Sequence, residues 1–169
     1  MTDSYELKRI SKESIPAALQ KAERYRIIND PSSAESICLD VLRLEPDNQQ
    51  ALTALLLALT DQFDEDAPNA VSQALELVAR FKDEYARAYY GGIIAERRAK
   101  ARLAQGGPAS GHVAHDFLRE AMVLFERAEQ LRPPGNDDAL LRYNTCVRIL
   151  ERHPHVVQAP RDASEPPLE

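Results

Sequence analysis

Breaks fall along this chain at intervals of one helix length, and between them nearly every stretch favours a helix. Ser14 precedes Ile15-Pro16, a helix start in which Ser caps and the proline's missing N–H costs nothing. That helix runs to Ile28, where Asn29-Asp30-Pro31 ends it and opens a second, with Asp30 as its cap. The second reaches Leu44 and is closed by Glu45-Pro46-Asp47. A third covers Gln49 to Phe63 and is so apolar that it must be buried on more than one face. Asp64-Glu65-Asp66 with Pro68 opens a fourth, to Phe81, and a fifth spans Glu84 to Leu103. The stretch Gln105–Gly111 is a loop; a sixth helix follows from His112 to Leu131, stopped by Pro133-Pro134-Gly135. The seventh starts at Asp137-Asp138, acids suited to a positive helix N-terminus, and ends near Arg152. No segment reads as a convincing strand, so the expected class is all-α with about seven helices.

Within this frame small residues recur at fixed offsets. Ala22 is followed by Tyr25, then Ala34, Cys38, Val41 and Pro46. Ala51-Leu52, Leu55-Leu56, Leu59, Ala70, Ala74 and Leu77 continue the pattern, with Leu56 where a small residue is usual and Lys82 where Pro is usual. Gly92, Ala121, Phe125, Ala128 and Pro133 mark a third unit, and Pro46 and Pro133 each lie twelve residues after an alanine. The last helix, Ala139-Leu140 to Tyr143-Asn144, starts like a further unit but has no partner and is read as a cap. This spacing resembles the tetratricopeptide repeat.

The resemblance implies an antiparallel helix-pair superhelical stack with units 15–48, 49–82 and 85–134 and a capping helix at 137–152. Residues 1–13 form a lead, and 153–169, rich in proline, form a flexible tail. The small residues let helices approach while Tyr25, Cys38 and Phe125 fill the gaps beside them. The third unit carries an insertion over 104–116, expected to project beyond the stack as a mobile tip.

The family geometry lines a concave groove with the first helix of each pair. It assigns to that groove Leu19, Glu23, Arg26 and Ile27, then Thr53, Leu57, Thr60 and Asp61, then Tyr89, Ile93, Glu96 and Arg97. Apolar anchors mixed with both charges suit a partner peptide or helix. Family members that hold acidic chaperone tails use a clamp of Lys, Asn and Arg. The matching positions here are Leu19, Glu23, Ala54, Ala86 and Tyr90, so that ligand is disfavoured.

Other chemistries find little footing. The basic run Arg97-Arg98-Ala99-Lys100-Ala101-Arg102 reads as a solvated helix face. Net charge is -6 with pI near 5.3, which argues against nucleic acid and anionic membranes as partners. The longest apolar run, Ala54–Leu59, is too short to span a bilayer, and the start of the chain lacks a secretory pattern. Two distant cysteines, Cys38 and Cys146, fit a reduced, cytoplasmic setting. The histidine pairs His112/His115 and His153/His155 are read without a metal, and no cofactor motif or catalytic constellation is present. The expected function is therefore a protein-interaction scaffold and not an enzyme. The alternative is a structural subunit that self-associates through apolar helix faces, above all the third helix.

Overall fold

A computed structural model describes residues 4–64 and 69–160 of the chain. Among them there are seven α-helices and no strand: α1 Ile15–Ile27, α2 Pro31–Leu44, α3 Gln49–Thr60, α4 Ala70–Val78, α5 Glu84–Gln105, α6 Ser110–Leu131 and α7 Asp138–Arg152. The fold is all-α. None of these helices is long and apolar enough to cross a membrane. The expected start of α4 at Glu65–Pro68, and the tail beyond residue 160, lie outside the described residues.

Side-chain caps hold the starts of α2, α3 and α5, whereas Ser14, Asn69 and Asp137 accept no capping hydrogen bond at α1, α4 and α7. The Asp30 carboxylate accepts from the Ser33 amide at 3.2 Å and from the Ser33 hydroxyl at 2.7 Å, and Pro31 takes the first helical position. Asn48 caps α3 by accepting from the Ala51 amide at 2.9 Å, and Asp83 caps α5 by accepting from the Tyr85 amide at 3.2 Å. Ser14, expected to cap α1, does not. Its hydroxyl donates back to the Ser11 carbonyl at 2.8 Å, inside a short 3-10 turn, Lys12–Ser14, that leads into α1. The Ser33 hydroxyl and amide hold the Asp30 carboxyl below its ordinary value of 3.8. A carboxyl whose value is lowered in the fold stabilises it above that ordinary value and stops doing so as pH falls through the lowered one. Asp30→Asn keeps a capping oxygen but no titrating group. The stability gap between wild type and Asp30→Asn is therefore expected to be constant at neutral pH and to narrow below pH of about 4, as urea titrations at stepped pH would show.

Each helix packs on the next, and the odd-numbered helices also touch in succession, α1 on α3, α3 on α5 and α5 on α7. Two apolar clusters result. The first is built on α1 to α4, with Leu52 and Leu56 fully buried at its heart, and it takes in Ile94 and Ala101 from α5. The second gathers α5, α6 and α7 around Ile93, Leu118 and Phe125. Half-buried Leu57 and Tyr90 touch both clusters and join them. The apolarity of α3 is thus accounted for internally: seven of its apolar residues, Ala51 to Leu59, are buried.

The small residues act as the spacing anticipated. A Cβ added at Gly92 would lie 2.6 and 2.7 Å from atoms of the Phe125 ring, which is completely buried. The missing methyl is what allows α6 to press its aromatic side chain against α5.

The insertion departs from expectation. α5 and α6 do lengthen, but they do not project as a mobile tip. Ala99, Ala114 and Leu118 near their far ends are fully buried, and Ser110 and Gly111 belong to α6 rather than to the loop. The segment His153–Val157, read as the start of a flexible tail, lies across this end. Val156 is buried in the second cluster, and the Val157 carbonyl lies 2.8 Å from His112 Nδ1. A Cβ at Gly111 would run into the His155 carbonyl, so the strap rests on bare backbone. Gly111→Ala is expected to lift the strap while leaving the helices in place. Hydrogen exchange would register this as lost protection at Val156, with little change across α1 to α4.

Candidate binding face

The layer of odd-numbered helices carries most of the residues assigned to a groove, and α1, the end of α3 and α5 bring three of them together. Arg26 Nε lies 2.7 Å from one Asp61 oxygen, and Arg97 Nη1 lies 3.5 Å from the other. Asp61 follows the last turn of α3, where the chain leaves the helix, so its carboxylate is free to reach both neighbours. These side chains, with Ile27, Asn29 and Asp64, line an open polar hollow of about 350 Å³. The three ions are partly exposed, and the short Arg26–Asp61 pair fixes a charged patch that spans sequence-distant helices.

Further along the layer the surface turns aromatic. Tyr85 stacks on Tyr89 at 5.6 Å, and Tyr89 meets Tyr90 edge-on at 5.1 Å. Burial raises the Tyr90 hydroxyl above its ordinary value. Thr53 and Leu57 on α3 are half-buried, and Glu23 on α1 is exposed. Glu23, Arg26, Thr53, Leu57, Asp61, Tyr89 and Arg97 therefore all retain accessible surface, as does Ile27 at the edge.

Four residues assigned to the groove are not available to a partner. Leu19 and Thr60 are buried in the core of the first half, and Ile93 and Glu96 are buried where α7 lies against α5. The reason is α7. It docks Ala139 and Cys146 into the second cluster and extends Arg142 onto Glu96 at 3.4 Å. Glu96 is completely buried, and the same Glu96 oxygen also pairs with Lys100 one turn along α5. The (i, i+4) spacing of Glu96 and Lys100 was legible in the sequence. Arg142, forty-six residues away, was not.

The cations of the basic run are each engaged. Arg97 faces Asp61, Arg98 lies 4.1 Å above the Phe117 ring, Lys100 pairs with Glu96, and Arg102 reaches Gln105 at 3.5 Å. This corrects the expectation of a merely solvated face. Of the positions matching the chaperone-tail clamp, Leu19 and Ala54 are buried, and Glu23 is exposed with a negative charge.

Family models, curated proteins and solved structures were compared with the chain. None matches.

The remaining reactive groups have structural surroundings. Burial pushes the Cys38 thiol up to about 11 and the Cys146 thiol up to about 12. A thiol held so far above neutrality supplies almost no thiolate, the form that attacks or ligates. His112 is held at the strap, His115 lies 3.4 Å from Asp116, and the rings of His153 and His155 meet edge-on at 5.8 Å.

Proposed function

We propose that the chain is a tetratricopeptide-like helix-pair stack that holds a segment of another protein across its odd-helix face, and that it works by binding and not by catalysis. The observation that carries this reading is the Arg26–Asp61–Arg97 cluster. Three charged side chains from α1, the end of α3 and α5 converge beside an open hollow, next to exposed Ile27 and the half-buried Leu57. Contact among successive odd helices supports an inward-curving layer on that side, since helices of one layer draw closer than those of the other. The partner is an amphipathic helix or extended segment with apolar anchors and polar groups that exchange with this ion cluster. Because α7 covers Ile93 and Glu96, the binding stretch is shorter than the repeat spacing implies and lies toward α1 and α3.

That both cysteines are unpaired agrees with a reducing, cytoplasmic setting, and burial makes neither thiol a ready nucleophile. Self-association through the apolar face of α3 is less favoured, because seven apolar residues of α3 are buried.

The test is capture of binding proteins on the immobilised chain in three forms: wild type, Glu23→Arg with Arg97→Ala, and Glu120→Arg on the outward side of α6. A partner retained by wild type and by Glu120→Arg but lost by the double variant, at unchanged thermal stability, supports the reading. A partner retained equally by all three places binding elsewhere.

A further inference from the structure

The end of the stack at α1 carries a second surface, which meets the odd-helix face at Ile27 and turns away from it toward Lys21 and Arg24. Tyr25, Ile27 and Ile28 crowd the last turn of α1 and its C-terminal boundary, with Ile27 82% and Ile28 69% exposed. Together with Lys21 and Arg24 they line an open hollow of about 530 Å³. Tyr25 sits at a packing position of the repeat pattern, and it should fill a gap between helices. Here it remains partly exposed.

The internal repeat explains why. Thirty-four residues further on, Lys21, Arg24, Tyr25 and Ile28 correspond to Leu55, Ala58, Leu59 and Gln62. All four of those are buried, because α2 packs against α3 on that side. There Glu35 of α2 accepts a hydrogen bond from the Gln62 side chain at 2.8 Å. The surface on α1 is thus the same stacking face, and among the described residues no α-helix precedes α1 to cover it. Its two flanking charges are both positive, in a chain whose net charge is -6.

We propose that this end face docks an acidic amphipathic helix of a partner protein, which takes the place that α2 takes on α3 and sets its carboxylates against Lys21 and Arg24. Tyr25 and Ile28 supply the apolar anchor sites, and the two cations select the charge of the incoming helix. A second copy of the chain docked about a two-fold axis would set Lys21 and Arg24 against their own counterparts, which disfavours it.

The experiment uses two synthetic amphipathic helical peptides with identical leucine faces, one carrying glutamates on its polar face and one carrying lysines. Each is titrated against the full chain by fluorescence anisotropy at low and moderate salt. The glutamate peptide is expected to bind at least tenfold more tightly than the lysine peptide, with affinity falling as salt rises. Ile28→Glu, and separately Lys21→Glu with Arg24→Glu, should each abolish that preference at unchanged helical circular dichroism, whereas Glu23→Arg with Arg97→Ala should leave it intact. Equal binding of the two peptides, or binding that survives Ile28→Glu, overturns the proposal. Light scattering on the chain alone adds a separate arm. A concentration-dependent dimer abolished by Ile28→Glu would make a second copy the occupant and overturn the partner helix.

Discussion

Gly92→Ala is expected to destabilise the fold by about 1–3 kcal/mol, although alanine is the better helix former by about 1 kcal/mol. The added methyl would sit at 2.6–3.0 Å from three atoms of the Phe125 ring, and that ring is fully enclosed. Either α6 moves away from α5 or the ring leaves its rotamer, and both disturb the second cluster. Gly91, the preceding residue, provides the control. A Cβ there would lie 3.4 Å from Leu124, an ordinary contact, so Gly91→Ala should stabilise by about 0.5–1 kcal/mol. Two adjacent glycines in one helix thus respond with opposite sign, which helix propensity alone does not predict. Phe125→Leu, itself destabilising, should cancel part of the Gly92→Ala penalty when the two are combined, and a double-mutant cycle by urea denaturation measures that coupling.

Removing both cations from Glu96 has the other large expected effect. Lys100 and Arg142 converge on one oxygen of a completely buried carboxylate, whose second oxygen has no protein partner. Lys100→Ala with Arg142→Ala leaves an unpaired charge in the interior, expected to destabilise by about 3 kcal/mol. Lys100 is 40% and Arg142 34% exposed, so either one alone is worth much less than the pair together. Glu96→Met in the same background should restore most of the loss, because it removes the stranded charge and keeps the volume. Because Arg142 ties α7 to α5, the double variant should also loosen α7 first, seen as faster hydrogen exchange there than in α1 to α4.

Much of the architecture was written locally. Pro31 and Asp30, the Glu45-Pro46-Asp47 break and the Pro133-Pro134-Gly135 stop each act within a few residues of themselves, and the seven helices follow from them. The Gly92–Phe125 contact was legible too, since repeat spacing pairs a small residue on one helix with an aromatic on the next. Ser14 misled because a hydroxyl can serve the preceding turn as easily as the following helix, and here Ser11 offers the nearer carbonyl.

The candidate site was less legible, for reasons of distance. Repeat geometry places Leu19, Ile93 and Glu96 on the inner side of their helices but says nothing of what covers that side. α7 returns across Ile93 and Glu96, and nothing in the residues around 93–96 announces it. Arg26, Asp61 and Arg97 were each assigned to the groove side, yet their mutual pairing depends on the turn after Thr60, which sequence period continued as helix to Phe63. The strap at His153–Val157 was hidden by its proline and histidines, because the decisive partner is an absent side chain, at Gly111.

Site-directed photo-crosslinking tests the binding account most directly. A benzophenone amino acid at Glu23, on the odd-helix face, is compared with the same group at Val123, exposed on α6. The account predicts a discrete adduct with another polypeptide from position 23, none from position 123, and its disappearance on Arg97→Ala. An adduct from position 123 alone, or adducts with nothing but a second copy of this chain, would contradict it.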